Sequence, residues 1–118
     1  MQTDNRIHPR ISLTIPIRLV APDNNSLTAT SHNISLGGIV LETDSTVHKE
    51  LIATNSSDNM TQYKLAFTLP HQNKSLQLNT RVVYVRRLSQ NLFHIGLRFV
   101  EPNEQSRKLI ENYVKSHL

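Results

Sequence analysis

Apolar and polar residues alternate over most of the chain, and a period of two is the signature of a strand that buries one face. Ile11, Leu13, Ile15, Ile17 and Leu19 share one parity, while Ser12, Thr14, Pro16 and Arg18 take the other. Pro16 cannot donate a ladder hydrogen bond, which predicts an edge or a bulge there. Pro22-Asp23-Asn24-Asn25 reads as a turn, residues 27–33 as a second, more polar strand, Ser35-Leu36-Gly37-Gly38 as a tight turn and residues 39–43 as a third strand. Residues 44–61 are rich in Ser, Thr and Asn, with Val47, Leu51 and Ile52 as weak apolar anchors. They predict a long loop with room for one short element. Alternation resumes at Tyr63, Leu65, Phe67 and Leu69, runs on through Leu76, Leu78, Thr80, Val82 and Tyr84, and returns at Phe93, Ile95, Leu97 and Phe99. Six short strands with no helix between them predict an antiparallel barrel or sandwich.

The tail changes period. Pro102 stops the last strand, Asn103 is a good N-cap, and Leu109, Ile110, Tyr113 and Val114 form one helical stripe. A helix over 103–117 needs a surface to cover, either the barrel end or a partner's groove. One domain is expected over 1–118, with residues 1–10 as a polar arm, 11–100 as the barrel and 103–117 as the helix.

Composition narrows the chemistry only a little. The formal net charge is +4 in 118 residues, which slightly favours an anionic partner such as a nucleotide, a nucleic acid or an acidic membrane. Cysteine is absent, so disulfides, thiolate zinc sites and cysteine nucleophiles are excluded. No apolar run is long enough for a bilayer and the start lacks the core of a signal peptide, so the sequence reads as soluble and cytoplasmic. The six histidines show no metal-ligand spacing, and no metal site is expected from them. With no G-x-S-x-G, no P-loop and no paired carboxylates, no catalytic residues are expected and the chain reads as non-enzymatic.

Two short motifs carry the functional signal. Arg6-Ile7-His8-Pro9-Arg10 is an R-x-x-x-R at the mouth of the first strand, and Asn33-Ile34-Ser35-Leu36-Gly37-Gly38 is an N-x-S-x-x-G-G at the turn between the second and third strands. The first arises by chance in roughly half of chains of this composition, the second in roughly one per thousand. Together they resemble the PilZ domain family, whose motifs are R-x-x-x-R and D/N-x-S-x-x-G-G in that order. The ending Gly96-Leu97-Arg98-Phe99-Val100, followed by a polar turn and an amphipathic helix, is also similar. The resemblance covers nearly the whole chain and is weakest at 44–61. It implies a six-stranded antiparallel β-barrel of the PilZ-like split type with a C-terminal α-helix. It also implies that the chain binds cyclic di-GMP, with no cofactor, through Arg6, Arg10, Asn33, Ser35, Gly37 and Gly38. Secondary contacts are expected from Asn5, His8, His32 and Arg98. Position 33 is Asp in many members and Asn here, which removes a charge but keeps donor and acceptor groups for a guanine edge.

The residue types suit that ligand. Arginine's planar fork matches guanine O6 and N7, stacks on aromatic faces and pairs with phosphate. Four residues in extended form span about 13 Å, so Arg6 and Arg10 can reach different parts of one ligand or of a stacked pair. Asn33 and Ser35 are expected on one strand face, and the glycines are expected to permit positive φ and a close ligand approach. The plain alternatives are that both arginines are solvated charges on a loose tail and that the second motif is only a hairpin turn.

The reading that follows is a receptor or adaptor whose arm closes over the nucleotide and signals to a separate protein partner. In the PilZ family such partners often control motility, surface attachment, polysaccharide export or virulence. Two other readings stay open: a small barrel that binds single-stranded nucleic acid, although aromatics are only 5%, and a PilZ-like interaction module without ligand.

Overall fold

A computed structural model of the chain describes residues 8–54 and 61–118. Its elements in chain order are β1 (Ile11–Ser12), β2 (Pro16–Val20), β3 (Ser26–Ile34), β4 (Gly38–Thr43), α1 (Ser45–Thr54), β5 (Gln62–Thr68), β6 (Ser75–Ser89), β7 (Leu92–Phe99) and α2 (Glu104–Ser116). All pairings are antiparallel: β2 with β3, β3 with β4, β4 with β7, β7 with β6, β6 with β5, and β5 back to β2. The fold is therefore a closed six-stranded antiparallel barrel with a C-terminal helix. Closure leaves no free sheet edge between these strands. The inward parity of each strand supplies the core: Ile17, Leu19, Ile34, Ile39, Leu41, Tyr63, Leu65, Phe67, Leu76, Leu78, Ile95 and Leu97 are buried.

The expected first strand is broken in two. Residues 11–12 pair with 33–34 of β3, and residues 16–20 pair with 26–30. The buried Ser31 hydroxyl fills the gap between them, accepting from Ile15 N at 2.9 Å and donating to the carbonyl of Leu13. One side chain thus satisfies two backbone groups that the interrupted ladder would otherwise orphan. On its other side β3 carries a bulge. Ser31 faces Leu41 and Asn33 faces the next residue back, Val40, so His32 is the extra residue.

A second bulge lies in β6. Val82 faces Leu97 but Tyr84 faces Gly96, leaving Val83 as the extra residue. The parity rule put Tyr84 on the same face as Val82; the bulge reverses it. Tyr84 lies 43% exposed with its ring across Gly96, where a Cβ would overlap it.

Residues 44–61 hold more than a loop. α1 is a ten-residue helix, opened by Asp44, whose carboxylate accepts from Val47 N at 3.0 Å. Ser45 donates to Asn91 Oδ1 from its hydroxyl at 2.7 Å, Tyr63 donates from its hydroxyl to the carbonyl of the buried Leu51 at 3.2 Å, and His48 stacks on Phe93 with ring centroids 4.0 Å apart. α2 is capped by Asn103, whose side chain accepts from Ser106 N at 2.8 Å. Its stripe of Ile110, Tyr113 and Val114 is buried in the same core as the barrel strands, with Leu109 packed at the margin.

Two stability outcomes follow. Ser31→Ala leaves Ile15 N and the Leu13 carbonyl short of a partner and lowers the unfolding free energy by about 1–3 kcal/mol in a denaturant titration. A Cβ at Gly38 would run into the Leu97 carbonyl and the β7 backbone, whereas one at Gly37 first meets the edge of the His8 ring, Cδ2 at 3.0 Å. Gly38→Ala therefore costs about 1–3 kcal/mol, and Gly37→Ala measurably less, because an imidazole can swing aside.

Candidate functional site

The β3–β4 turn is the corner on which the site is built. Ser35 N donates to the Gly38 carbonyl at 2.9 Å, and the buried Ser35 hydroxyl accepts from Gly37 N at 3.2 Å. Phe99 N donates to the Gly37 carbonyl at 3.0 Å, tying the end of β7 to the same turn. Neither glycine has a positive φ, which corrects the expectation of a left-handed corner. Glycine is required at 38 because β7 backbone occupies the space that a side chain would need. Ser35 is likewise buried in the turn rather than presented on a strand face beside Asn33, which is half-buried at the end of β3.

Beside this turn lies a hollow of about 480 Å³, lined by His8, Arg10, Ser35, Gly37, Gly38 and Arg98, with apolar walls from Leu36, Val83, Leu97, Phe99 and Pro102. Arg10 precedes β1 and reaches Asn33, its Nη1 donating to Oδ1 at 2.9 Å. Arg98 faces outward from β7, opposite Gly38. The hollow thus gathers Arg10 and Arg98 against the glycine turn. No carboxylate is among the described residues that line it, so its field favours an anion. Its mixture of guanidinium groups and apolar side chains suits an anion that also carries an apolar or aromatic face.

Of the residues singled out in the sequence, Arg10, Ser35, Gly37, Gly38, His8 and Arg98 meet at this hollow, with Asn33 joined through Arg10. Arg6 and Asn5 lie outside the described residues. His32 is elsewhere: it packs on His94, ring centroids 4.4 Å apart, on the outer face of β3 and β7. Sequence reasoning missed Val83 and Pro102 as walls. Val83 reaches the hollow from the β6 bulge, which alternation does not reveal. A larger hollow of about 940 Å³ lies between α1 and the β6–β7 hairpin, lined by Ser45, His48, Lys49, Val85, Arg87, Gln90, Asn91 and Phe93. It contains neither motif, so size alone does not mark the site.

Comparison with known proteins agrees with this architecture. No curated protein sequence matches the chain. Among solved structures, the Bacillus subtilis inhibitor of motility MotI/DgrA is similar with a TM-score of 0.73 and 15% identity, over 97% of this chain and 51% of that one. This chain therefore spans about half the length of that protein. The complex of MrkH from K. pneumonia with c-di-GMP has a TM-score of 0.69 and 19% identity, over 97% of this chain and 52% of that one. The PilZ domain of YcgR from Escherichia coli, with c-di-GMP, has a TM-score of 0.62 and 12% identity, over 97% and 92% of the two chains. At such identities these likenesses speak for the fold. The family model described as the PilZ domain matches residues 4–116, nearly the full length, and the chain belongs to the PilZ domain family.

Proposed function

We propose that this protein is a non-enzymatic receptor for cyclic di-GMP. The observation that carries the reading is the convergence of Arg98 and of Arg10, which is hydrogen-bonded to Asn33, on a glycine-cornered hollow free of carboxylates among its described lining. The c-di-GMP complexes of YcgR and MrkH, which share this fold, support it. Arg10 stands one residue before the paired Ile11, so little chain must be ordered to hold its guanidinium in place. The R-x-x-x-R motif adds Arg6, and since four extended residues span about 13 Å, it supplies a second guanidinium for another part of the ligand. Ser35 and the glycines shape the turn against which the ligand rests, and His8 flanks it. Closure of the arm changes the surface that a separate protein partner reads. Val83 and Tyr84, 57% and 43% exposed beside the hollow, offer apolar area for that partner.

Calorimetric titration tests the reading directly, with GTP and cyclic GMP as controls. Cyclic di-GMP binds and the controls do not. At a hundred times its dissociation constant the messenger adds about 2.7 kcal/mol of stability. Arg10→Ala removes most of the binding yet leaves the ligand-free melting temperature nearly unchanged, because this exposed residue contributes a surface hydrogen bond to Asn33. Absence of heat and of any melting shift with the intact chain in excess messenger overturns the receptor reading. A large loss of ligand-free stability in Arg10→Ala recasts that arginine as a scaffold residue.

A further inference from the structure

On the outer face of the barrel, away from the glycine turn, three metal-ligating side chains converge. Glu42 of β4 and His94 of β7 are directly opposed across the ladder, with Oε1 and Nε2 3.1 Å apart. Thr30 of β3 faces Glu42 from the other side. His32, two residues past Thr30 and the extra residue of the β3 bulge, lies diagonally against the same row. Its ring packs against that of His94, with centroids 4.4 Å apart and planes tilted by 33°. The donor atoms of His32, Glu42 and His94 all lie within 4.8 Å of one another.

We infer that His32, Glu42 and His94 form a binding site for a borderline-soft divalent cation of the zinc class. A cross-strand ion pair accounts for Glu42 and His94 alone. It does not account for a second imidazole turned onto the same point by a bulge. Around a tetrahedral zinc ion at 2.0–2.1 Å, ligand atoms stand about 3.3 Å apart. The Glu42–His94 pair is already at that spacing, and His32 needs to close by at most about 1.5 Å, within the reach of side-chain torsions. Two imidazoles and a carboxylate are the donor set that suits zinc and its neighbours, whereas magnesium and calcium prefer oxygen alone. All three ligands stand on paired strands, which fixes their separation better than loops would. The site is open to solvent, since the Glu42 side chain is 42% exposed, so a fourth position is left for water. The inference is independent of the nucleotide reading and uses none of the residues that line the glycine hollow.

The test is zinc chloride titrated into the full chain without an affinity tag, by calorimetry, with cobalt(II) as a coloured probe and magnesium as a control. One zinc binds per chain in the micromolar range or tighter, cobalt gives the visible bands of a low-coordinate nitrogen–oxygen site, and magnesium gives no heat. His32→Gln and His94→Gln each weaken zinc by more than the about 10–100-fold that outer-sphere changes cost, and Glu42→Gln weakens it too. His71→Asn, in a distant turn where φ is 64° and Asn is tolerated, binds zinc as the parent does. Circular dichroism and ligand-free melting check that the variants fold; should His94→Gln fail, the exposed His32 carries the test. Absence of a one-to-one isotherm overturns the inference. So does undiminished zinc binding by His32→Gln, which reduces Glu42 and His94 to a plain ion pair.

Discussion

Strand β3 hydrogen-bonds along both flanks, to β1 and β2 on one side and to β4 on the other, and this double pairing closes the sheet into a ring. Every strand of the ring pairs along both flanks, but one flank of β3 is shared by two segments, and the backbone groups where those segments part still need partners. The chain meets that demand with a small residue. Ser31 points inward, and its hydroxyl bridges the carbonyl of Leu13 and the amide of Ile15 where β1 and β2 part. The interruption lets the N-terminal segment re-pair at Ile11 and Ser12, bringing Arg10 onto the rim beside Asn33. Site and closure are thus set by the same few residues.

Bulges decide which side chains reach the surface. The one in β3 lays His32 over the row formed by Glu42 and His94. The one at Val83 in β6 turns Tyr84 outward across Gly96 and lets Val83 wall the hollow. A single inserted residue reverses the facing of everything beyond it. Two such insertions are enough to build two different chemical surfaces on one barrel.

Most of the barrel was legible because alternation is a local property: Leu65, Phe67, Leu76, Leu78, Ile95 and Leu97 are buried where their parity puts them. The same holds for α2, whose cap and stripe sit within a few residues of one another. Residues 44–61 read as a long loop with room for one short element because Val47, Leu51 and Ile52 are weak apolar anchors among Ser, Thr and Asn. The Asp44 cap that opens α1 shows itself only in the structure. The facing of Tyr84 was lost because no residue type announces a bulge. The motifs marked the glycine hollow, but the reason for the glycines was not visible, since it depends on where β7 passes. The His32–Glu42–His94 group was out of reach for a related reason. Spacing rules detect ligands on one helix or loop, and these three are brought together by pairings between distant strands.

The contact between Gly38 and β7 bears on how this motif is interpreted in other chains. Because the Leu97 carbonyl fills the space of a side chain at 38, a barrel that had abandoned its ligand altogether would still need glycine there to keep β4 seated against β7. That glycine therefore testifies to architecture, whereas Arg10 and Asn33 meet at the surface through an exposed hydrogen bond. A related barrel that kept this glycine and lost the other two would keep its shell intact, so the glycine by itself says nothing of a ligand.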